Sequence, residues 1–273
     1  DGYSDVIIGA PYYDAGQTDA GAAFAYYGTV TGLSLTPNIV FTDGIQNSAW
    51  FGRSVASAGD VNGDGYSDVI IGAPRYDTGI FPDEGGAFIY HGSATGLSAT
   101  PNSIPDDADQ TIAYFGYSVA CAGDINGDGY SDVIIGAPNY DDGSNFEEGR
   151  AFIYYGSATG VSATYSATPD DANQASAYFG FSVAGAGDVN GDGYCDVIIG
   201  AYGYDDVGNT DEGNAFVYYG SSSGLSATPN DILNDADQPG ANFGVSVASA
   251  GDVNGDGFSD VIVGANLYDD GAN

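Results

Sequence analysis

The sequence has very little positive charge. Three lysine and arginine residues stand against 38 aspartates and glutamates, so the formal net charge is −35. Such a surface repels nucleic acids and anionic membranes, which are bound by basic surfaces, so neither is expected as a partner. A charge of this size is typical of disordered chains, but 43% of the residues are hydrophobic and 13% are aromatic, which predicts a folded protein.

Cysteine, histidine and long apolar runs are also scarce. The two cysteines, Cys121 and Cys195, are too few for a disulfide framework, and small residues replace them in equivalent segments, which favours free thiols. The single histidine, His91, leaves no Ser-His-Asp or Cys-His catalytic set, and it is interpreted as a substituted structural aromatic residue. No stretch reaches the ~18–20 apolar residues of a membrane span, so membrane insertion is not expected.

One motif rich in glycine, aspartate and asparagine recurs at a fixed interval. Its first complete copy, DVNGDGYSD at residues 60–68, returns closely similar at 124–132, 188–196 and 252–260. The starts at 60, 124, 188 and 252 are each 64 residues apart, and residues 1–5 are the back half of one more copy. A repeat of this length indicates an array of similar structural units.

The motif has the residue types that a hard cation requires from a short loop. Side-chain oxygens stand at positions 1, 3, 5 and 9, a glycine at position 6 permits a sharp turn, and the carbonyl at position 7 can add a ligand. Three aspartates in each of four complete loops make 4 × 3 = 12 acidic residues. Four copies in step therefore predict calcium binding, and four bound Ca²⁺ ions would offset eight of the charges.

Two other structures share part of this pattern. An EF-hand or dockerin loop needs a carboxylate at position 12 or a following helix, whereas position 12 here is Ile71 or its equivalent in an apolar run, which predicts a strand. A metal-free Asx turn needs no cation. Three close carboxylates would repel one another, however, so the loop is expected to be disordered without metal.

Each repeat contains four short apolar segments. In the first complete repeat they lie at 51–59, 69–74, 86–92 and near 99–104, are rich in β-branched, aromatic or small residues, and are bounded by turn formers. They predict strands rather than helices. Four antiparallel strands at a fixed period predict an all-β fold, a β-propeller with four-stranded blades. Small residues alternate along the first segment, which is therefore placed innermost, beside the central channel.

The segments carry a further motif. Phe51-Gly52 begins the inner strand, and Gly72-Ala73-Pro74 ends the next one. Together they resemble the FG-GAP repeat of the integrin α-subunit propeller and of secreted bacterial proteins. The resemblance covers essentially the whole chain, although the third and fourth repeats lack the proline. It divides the chain into units of about 1–63, 64–127, 128–191, 192–255 and a partial 256–273.

In this family the calcium loop joins the first two strands of a blade, away from the face where integrins bind ligand. The resemblance implies four sets of ligands, with the backbone carbonyl used at the aromatic position: Asp60, Asn62, Asp64, Tyr66 and Asp68; Asp124, Asn126, Asp128, Tyr130 and Asp132; Asp188, Asn190, Asp192, Tyr194 and Asp196; Asp252, Asn254, Asp256, Phe258 and Asp260. Asp1, Tyr3 and Asp5 form an incomplete set that would bind weakly at best.

The number of repeats does not match a usual family propeller. Seven blades would need about 448 residues, whereas this chain supplies roughly four and a quarter repeats. The chain is expected to be part of a longer propeller, or to close a smaller ring by pairing its terminal strands. Residues 260–263 duplicate residues 5–8, so a four-blade ring would have one strand too many, which favours the first interpretation.

Acidic residues outside the loops are expected to be structural, because they recur whereas a catalytic pair should be unique to one place. The pairs in the second hairpins are interpreted as solvated turns: Asp83-Glu84, Glu147-Glu148 and Asp211-Glu212. Tyr-Asp pairs could bind sugar rings, but a role in capping the hydrophobic layer of the blade is favoured. They are Tyr13-Asp14, Tyr76-Asp77, Tyr140-Asp141, Tyr204-Asp205 and Tyr268-Asp269.

These features predict an extracellular, calcium-stabilised propeller that acts in adhesion or ligand binding and is not an enzyme. Its variable loops would present a surface to a protein or a glycan. Two alternatives stay open. The chain could be the non-catalytic scaffold part of a larger secreted hydrolase or lyase, or a self-assembling structural subunit of a cell-surface layer or filament.

Overall fold

The computed structural model describes residues 2–42, 46–106, 108–143, 145–169, 173–206, 209–234 and 238–269. Within these ranges the chain forms strands and turns and no helix, so the all-β prediction is confirmed. It follows that the described part of the chain offers no helix capable of crossing a bilayer.

Short strands account for the regular structure of the described residues. In chain order they are β1 (Val6–Ala10), β2 (Ala22–Tyr26), β3 (Gly28–Thr29), β4 (Gly32–Leu33), β5 (Ile39–Phe41), β6 (Ser54–Gly59), β7 (Asp68–Ala73), β8 (Gly86–Tyr90), β9 (Ser118–Gly123), β10 (Asp132–Ala137), β11 (Arg150–Tyr154), β12 (Ser182–Gly187), β13 (Asp196–Ala201), β14 (Asn214–Tyr218), β15 (Asp231–Leu233), β16 (Phe243–Gly251) and β17 (Asp260–Ala265).

The strands form consecutive antiparallel sheets, one for each repeat, as expected for propeller blades. Their orders are β1-β2-β5, β6-β7-β8, β9-β10-β11, β12-β13-β14-β15 and β16-β17, and β3 and β4 form a separate small hairpin. The fourth segment is a strand in β5 and β15. In the two blades between them it is reduced to single bridges, Ile89 with Ser103 and Ile153 with Ala167.

The first strands of the blades lie innermost and contact one another in succession: β6 with β9, β9 with β12, and β12 with β16. Small residues make this approach possible. A Cβ added to Gly185 on β12, for example, would lie 2.7 Å from the carbonyl oxygen of Cys121 on β9. The prediction that the first strands of successive blades pack closely on one another is confirmed; their position beside a central channel stays a prediction. Cys121 and Cys195 are both free thiols, also as predicted.

The Phe-Gly and Gly-Ala segments meet twice, once within a blade and once between blades. Within a blade, the Gly116 N–H donates to the Gly136 carbonyl at 3.0 Å. Between blades, a Cβ added to Gly136 would overlap the carbonyl oxygen of Gly180 and lie 2.9 Å from its carbonyl carbon. The motif therefore needs glycine because two backbones touch at this point, where no side chain fits.

The phenylalanine of the motif fills the space between successive blades. Phe115 is fully buried, and its ring packs edge-on against Phe152 with the centroids 5.2 Å apart. Its N–H donates to the Glu84 carbonyl of the preceding blade at 2.8 Å. The same hydrophobic core includes Ile70 and Ile89 of the preceding blade, so side chains of two adjacent blades share it.

A tyrosine hydroxyl ties the third strand of one blade to the outer segment of the next. The Leu97 N–H donates to the Tyr27 hydroxyl at 3.0 Å, and the Leu225 N–H donates to the Tyr155 hydroxyl at 2.9 Å. His91 occupies the equivalent place in the intervening blade. Its Nε2 faces Gly160 and is buried without a hydrogen-bond partner among the described residues. The interpretation of His91 as a substituted structural aromatic residue agrees with this position.

We expect His91→Tyr to stabilise the protein, because the Tyr27 and Tyr155 hydroxyls each accept a backbone N–H of the next blade, whereas His91 Nε2 has no partner among the described residues. The gain should be about 1 kcal/mol in the free energy of unfolding, a rise in Tm of about 2–4 °C for a chain of this size. Thermal unfolding measures it. Tyr155→Phe is the matched control and should lower Tm by a similar amount. A drop in Tm for His91→Tyr would contradict the prediction.

Candidate metal centre

The repeated loops join the first two strands of each blade, as the resemblance implied. Residues 60–68 connect β6 to β7, and the other three copies connect β9 to β10, β12 to β13 and β16 to β17. Each loop follows a β-bulge at the end of the inner strand. The aspartate at position 9 begins the second strand, so the sheet fixes both ends of the loop.

Side chains at positions 1, 3 and 5 organise the turn, as the second loop illustrates. Asp124 Oδ1 accepts the Asp128 N–H at 3.1 Å, and its Oδ2 accepts the Gly129 N–H at 2.9 Å. Asn126 Oδ1 accepts the Asp128 N–H at 2.9 Å, and Asp128 Oδ1 accepts the Tyr130 N–H at 3.1 Å. Gly129 has a φ of 91°, which favours glycine at position 6.

The same four hydrogen bonds are present in the other three complete loops. In every loop they hold two carboxylates and one carboxamide oxygen around a single tight turn. This arrangement brings together the predicted ligands at positions 1, 3 and 5.

The carboxylate at position 9 has a different environment. Asp132 is fully buried, its Oδ1 accepts the Gly156 N–H at 2.9 Å, and its Oδ2 accepts the Ile125 N–H at 2.9 Å. Burial is the main cause that raises the pKa of Asp132 to about 7. Asp68 and Asp196 make the same pairs of bonds. Position 9 therefore fastens the loop to the third strand of its own blade.

The terminal copies of position 9 have fewer partners. Asp5 accepts the Gly28 N–H at 2.8 Å, and Asp260 accepts the Val253 N–H at 2.9 Å. Tyr3 is about half exposed, at 48%. Asp1, the first member of the incomplete ligand set, lies outside the described residues.

The donor chemistry of the loops fits a hard cation. All predicted ligands are oxygen atoms. At position 1, Oδ1 accepts two N–H groups in the second, third and fourth loops, whereas Oδ2 accepts one and keeps a second lone pair for a cation. Among the described residues, no group of three His, Cys, Asp or Glu residues is arranged to hold a metal ion. This is consistent with a loop that gathers two carboxylates and one amide while its third carboxylate faces backbone N–H groups. A ligand role for Asp68 and its equivalents stays a prediction.

The acidic pairs in the second hairpins were interpreted as solvated turns, and this is wrong for their second members. Glu84, Glu148 and Glu212 are only 1%, 0% and 1% exposed. Glu84 Oε1 accepts the Asp109 N–H at 2.8 Å, and its Oε2 accepts the Thr78 hydroxyl. Burial raises the pKa of Glu84. The equivalent residue of the first repeat is Ala20, an apolar residue that was a signal of burial in the sequence.

The Tyr-Asp pairs have packing roles. The Tyr76 ring lies edge-on to Phe88 at 5.3 Å, and Asp77 Oδ1 accepts the Asp83 N–H at 2.6 Å. In addition, the Gln46 side chain accepts the Asp77 N–H at 2.8 Å and donates to the Asp77 carbonyl at 2.9 Å. These contacts support the structural interpretation of the pairs.

Sequence reasoning missed this glutamine clamp between consecutive blades. The same pairing joins Gln110 to Asp141, Gln174 to Asp205 and Gln238 to Asp269. The available signal was a glutamine at a constant 31 residues before the aspartate of each Tyr-Asp pair.

The sequence matches the FG-GAP repeat model at residues 51–90, 115–154, 179–218 and 243–273. Integrin alpha-V of Gallus gallus is 36% identical over 227 residues, 80% of this chain. Integrin alpha-5 of Xenopus laevis is 31% identical over 84% of this chain, and integrin alpha pat-2 of Caenorhabditis elegans is 33% identical over 95%. The chain spans about a fifth of the length of these relatives, 20%, 21% and 21% respectively.

The fold also superposes on the rhamnogalacturonan lyase YesW with a TM-score of 0.44 and 14% identity, covering 96% of this chain and 53% of that one. This likeness is too low to carry an argument. The repeat matches and the relatives decide the assignment. With four matched repeats and relatives at 31–36% identity over at least 80% of its length, the chain belongs to the FG-GAP repeat family.

Proposed function

We propose that this chain is an extracellular, calcium-binding β-propeller module that binds a protein or glycan ligand and catalyses no reaction itself. The observation that carries the proposal is the common hydrogen-bonded geometry of positions 1, 3 and 5 in four successive loops. The family relationship adds support, since the relatives are integrin α-subunits.

Asp124, Asn126 and Asp128, with the Tyr130 carbonyl, would hold the ion in the second loop, and the equivalent residues would do so in the others. When bound, the cation neutralises carboxylates that repel one another. The loop residues themselves fix the turn through their bonds to backbone N–H groups. A cation that binds only the folded state stabilises that state. A dissociation constant for calcium of ~10⁻⁴–10⁻³ M is sufficient outside a cell.

Calcium should raise Tm, and chelator should lower it. We expect isothermal titration to give four bound ions per chain, one for each complete loop. Asp128→Asn removes one carboxylate from the second loop and should reduce the number of bound ions to three. Asp211→Asn makes the same change of charge at an exposed position outside the loops and should leave four. A Tm that does not change with calcium or chelator would refute the calcium site.

The ligand-binding part of the proposal is tested separately. Immobilised protein is exposed to extracellular-matrix proteins and to an array of glycans, in calcium and in chelator. Saturable binding that is lost in chelator is expected, because the loops tie neighbouring blades together. Release of shorter products from any glycan would contradict the absence of catalysis.

A further inference from the structure

We propose that the calcium loops of consecutive blades bind their cations cooperatively, because each neighbouring pair of loops shares a hydrogen-bonded peptide group. This inference rests on the proposed calcium function. It concerns a property of the row of loops that no single loop has.

The shared group is the peptide between positions 7 and 8. In the second loop, the carbonyl of this peptide belongs to Tyr130, a predicted ligand. Its N–H belongs to Ser131 and donates at 3.0 Å to the carbonyl of Asp60, the residue at position 1 of the first loop. One rigid peptide plane thus joins the cation site of one loop to the backbone of the preceding loop.

The same bond joins the remaining neighbours. The Cys195 N–H donates to the Asp124 carbonyl at 3.1 Å, and the Ser259 N–H donates to the Asp188 carbonyl at 2.9 Å. The three contacts link the four complete loops into one continuous row.

The aromatic residue at position 7 makes a second contact with the preceding loop. A Cβ added to Gly63, at position 4 of the first loop, would lie 2.6 Å from the Tyr130 ring. Gly127 stands in the same relation to Tyr194 at 2.6 Å, and a Cβ on Gly191 would overlap Phe258. Each turn is therefore covered by a ring from the next loop.

The end of the third strand connects the loops again. The Gly156 N–H donates to Asp132 of its own loop at 2.9 Å, and the adjacent Ser157 N–H donates to the Val61 carbonyl of the preceding loop at 3.0 Å. Two successive residues thus hold neighbouring loops in one arrangement. This connection recurs where the Ser221 N–H donates to the Ile125 carbonyl at 3.1 Å.

These contacts lead to positive coupling. A cation that holds the Tyr130 carbonyl orients the Ser131 N–H, which orders position 1 of the neighbouring loop. The next cation then meets a loop whose conformational entropy has already been lost, which increases its affinity. The coupling free energy between two sites is the same in both directions, so a cation in either loop increases the affinity of the other.

Direct electrostatics oppose this coupling, because a filled loop attracts the next cation less strongly. That opposition is screened by salt, with a Debye length of about 8 Å at 0.15 M ionic strength. Coupling through an oriented peptide is not screened in this way. Cooperativity should therefore increase as ionic strength rises.

The experiment uses the whole chain labelled with ¹⁵N-glycine and titrated with calcium in 0.15 M NaCl. The N–H groups of Gly65, Gly129, Gly193 and Gly257 each donate to position 1 of their own loop, so each resonance reports one loop. In Asp128→Asn, the signals of Gly65 and Gly193 should titrate at calcium concentrations about 5-fold higher or more.

The matched control is Asp256→Asn, which removes the same carboxylate from the fourth loop. Among the complete loops, that loop contacts only the third. The Gly193 signal should therefore titrate at a higher calcium concentration, and the Gly65 signal should be unchanged. If Asp128→Asn changes the calcium concentration needed to titrate the Gly129 signal alone, the loops are independent. The inference is then overturned, although calcium binding stands. If no glycine signal titrates in the unmodified chain, the proposed function itself fails.

The unmodified chain provides a second test that needs no variant. Coupled loops give a titration of Gly129 that is steeper than a hyperbola, and the steepness increases between low salt and 0.15 M NaCl. A hyperbolic curve at both salt concentrations would overturn the inference.

Discussion

Gly136→Ala should destabilise the propeller by about 3 kcal/mol, the upper part of the usual range for overpacking a well-packed interior. The added methyl group would overlap the Gly180 carbonyl oxygen and lie 2.9 Å from its carbonyl carbon. Both atoms belong to the backbone just before β12, so they cannot move aside as a flexible side chain such as that of Ser118, the other close neighbour, can. Unfolding in urea, followed by circular dichroism, measures the change.

Gly264→Ala is the matched control for this substitution. Gly264 has the same position in the last sheet, but its nearest neighbour is the Ser246 Cβ at 3.6 Å, an ordinary contact. Neither glycine has a positive φ, so backbone strain affects neither variant. We expect Gly264→Ala to change the free energy of unfolding by no more than about 0.5 kcal/mol. Equal losses in the two variants would show that contact between blades is not the reason for glycine in the motif.

Much of the architecture could be predicted from the sequence, because the repeat places each residue in a known relation to its copies. The alternation of small residues in 51–59 identified the inner strand, since only small side chains allow inner strands to approach so closely. The oxygen side chains at positions 1, 3 and 5 of the loop were sufficient to indicate a turn, because their hydrogen-bond partners lie two to five residues away.

Features that depend on distant partners were not predictable in the same way. Glu84 is buried because Asp109, 25 residues later in the chain, returns to bond it. The Gln46 clamp closes over 31 residues and joins two blades. At position 9, Asp132 bonds Gly156, 24 residues away. The composition of each segment fits a solvated turn or a metal ligand equally well, and only the packing of one strand on the next distinguishes them.

The second large loss of stability is expected at position 9 of the loop, because the aspartate there is buried and hydrogen-bonded. Asp132→Ala should cost about 3 kcal/mol of stability even with no calcium present. It removes the acceptor of two buried backbone N–H groups, those of Ile125 and Gly156, and each unsatisfied buried donor costs about 1–3 kcal/mol. Urea unfolding in chelator at pH 8 measures this loss. At that pH the carboxyl is ionised, since burial raises its pKa to about 7.

Asp260→Ala separates this structural role from metal binding. Asp260 has the same place in its loop, yet it is half-buried, and among the described residues its side chain accepts only the Val253 N–H. In chelator its loss should cost about 1 kcal/mol, well below the loss for Asp132→Ala. If position 9 acts only as a metal ligand, both variants should be nearly neutral in chelator and equally destabilising in calcium. A large difference in chelator would instead show that this aspartate fastens each loop to its blade before any cation binds.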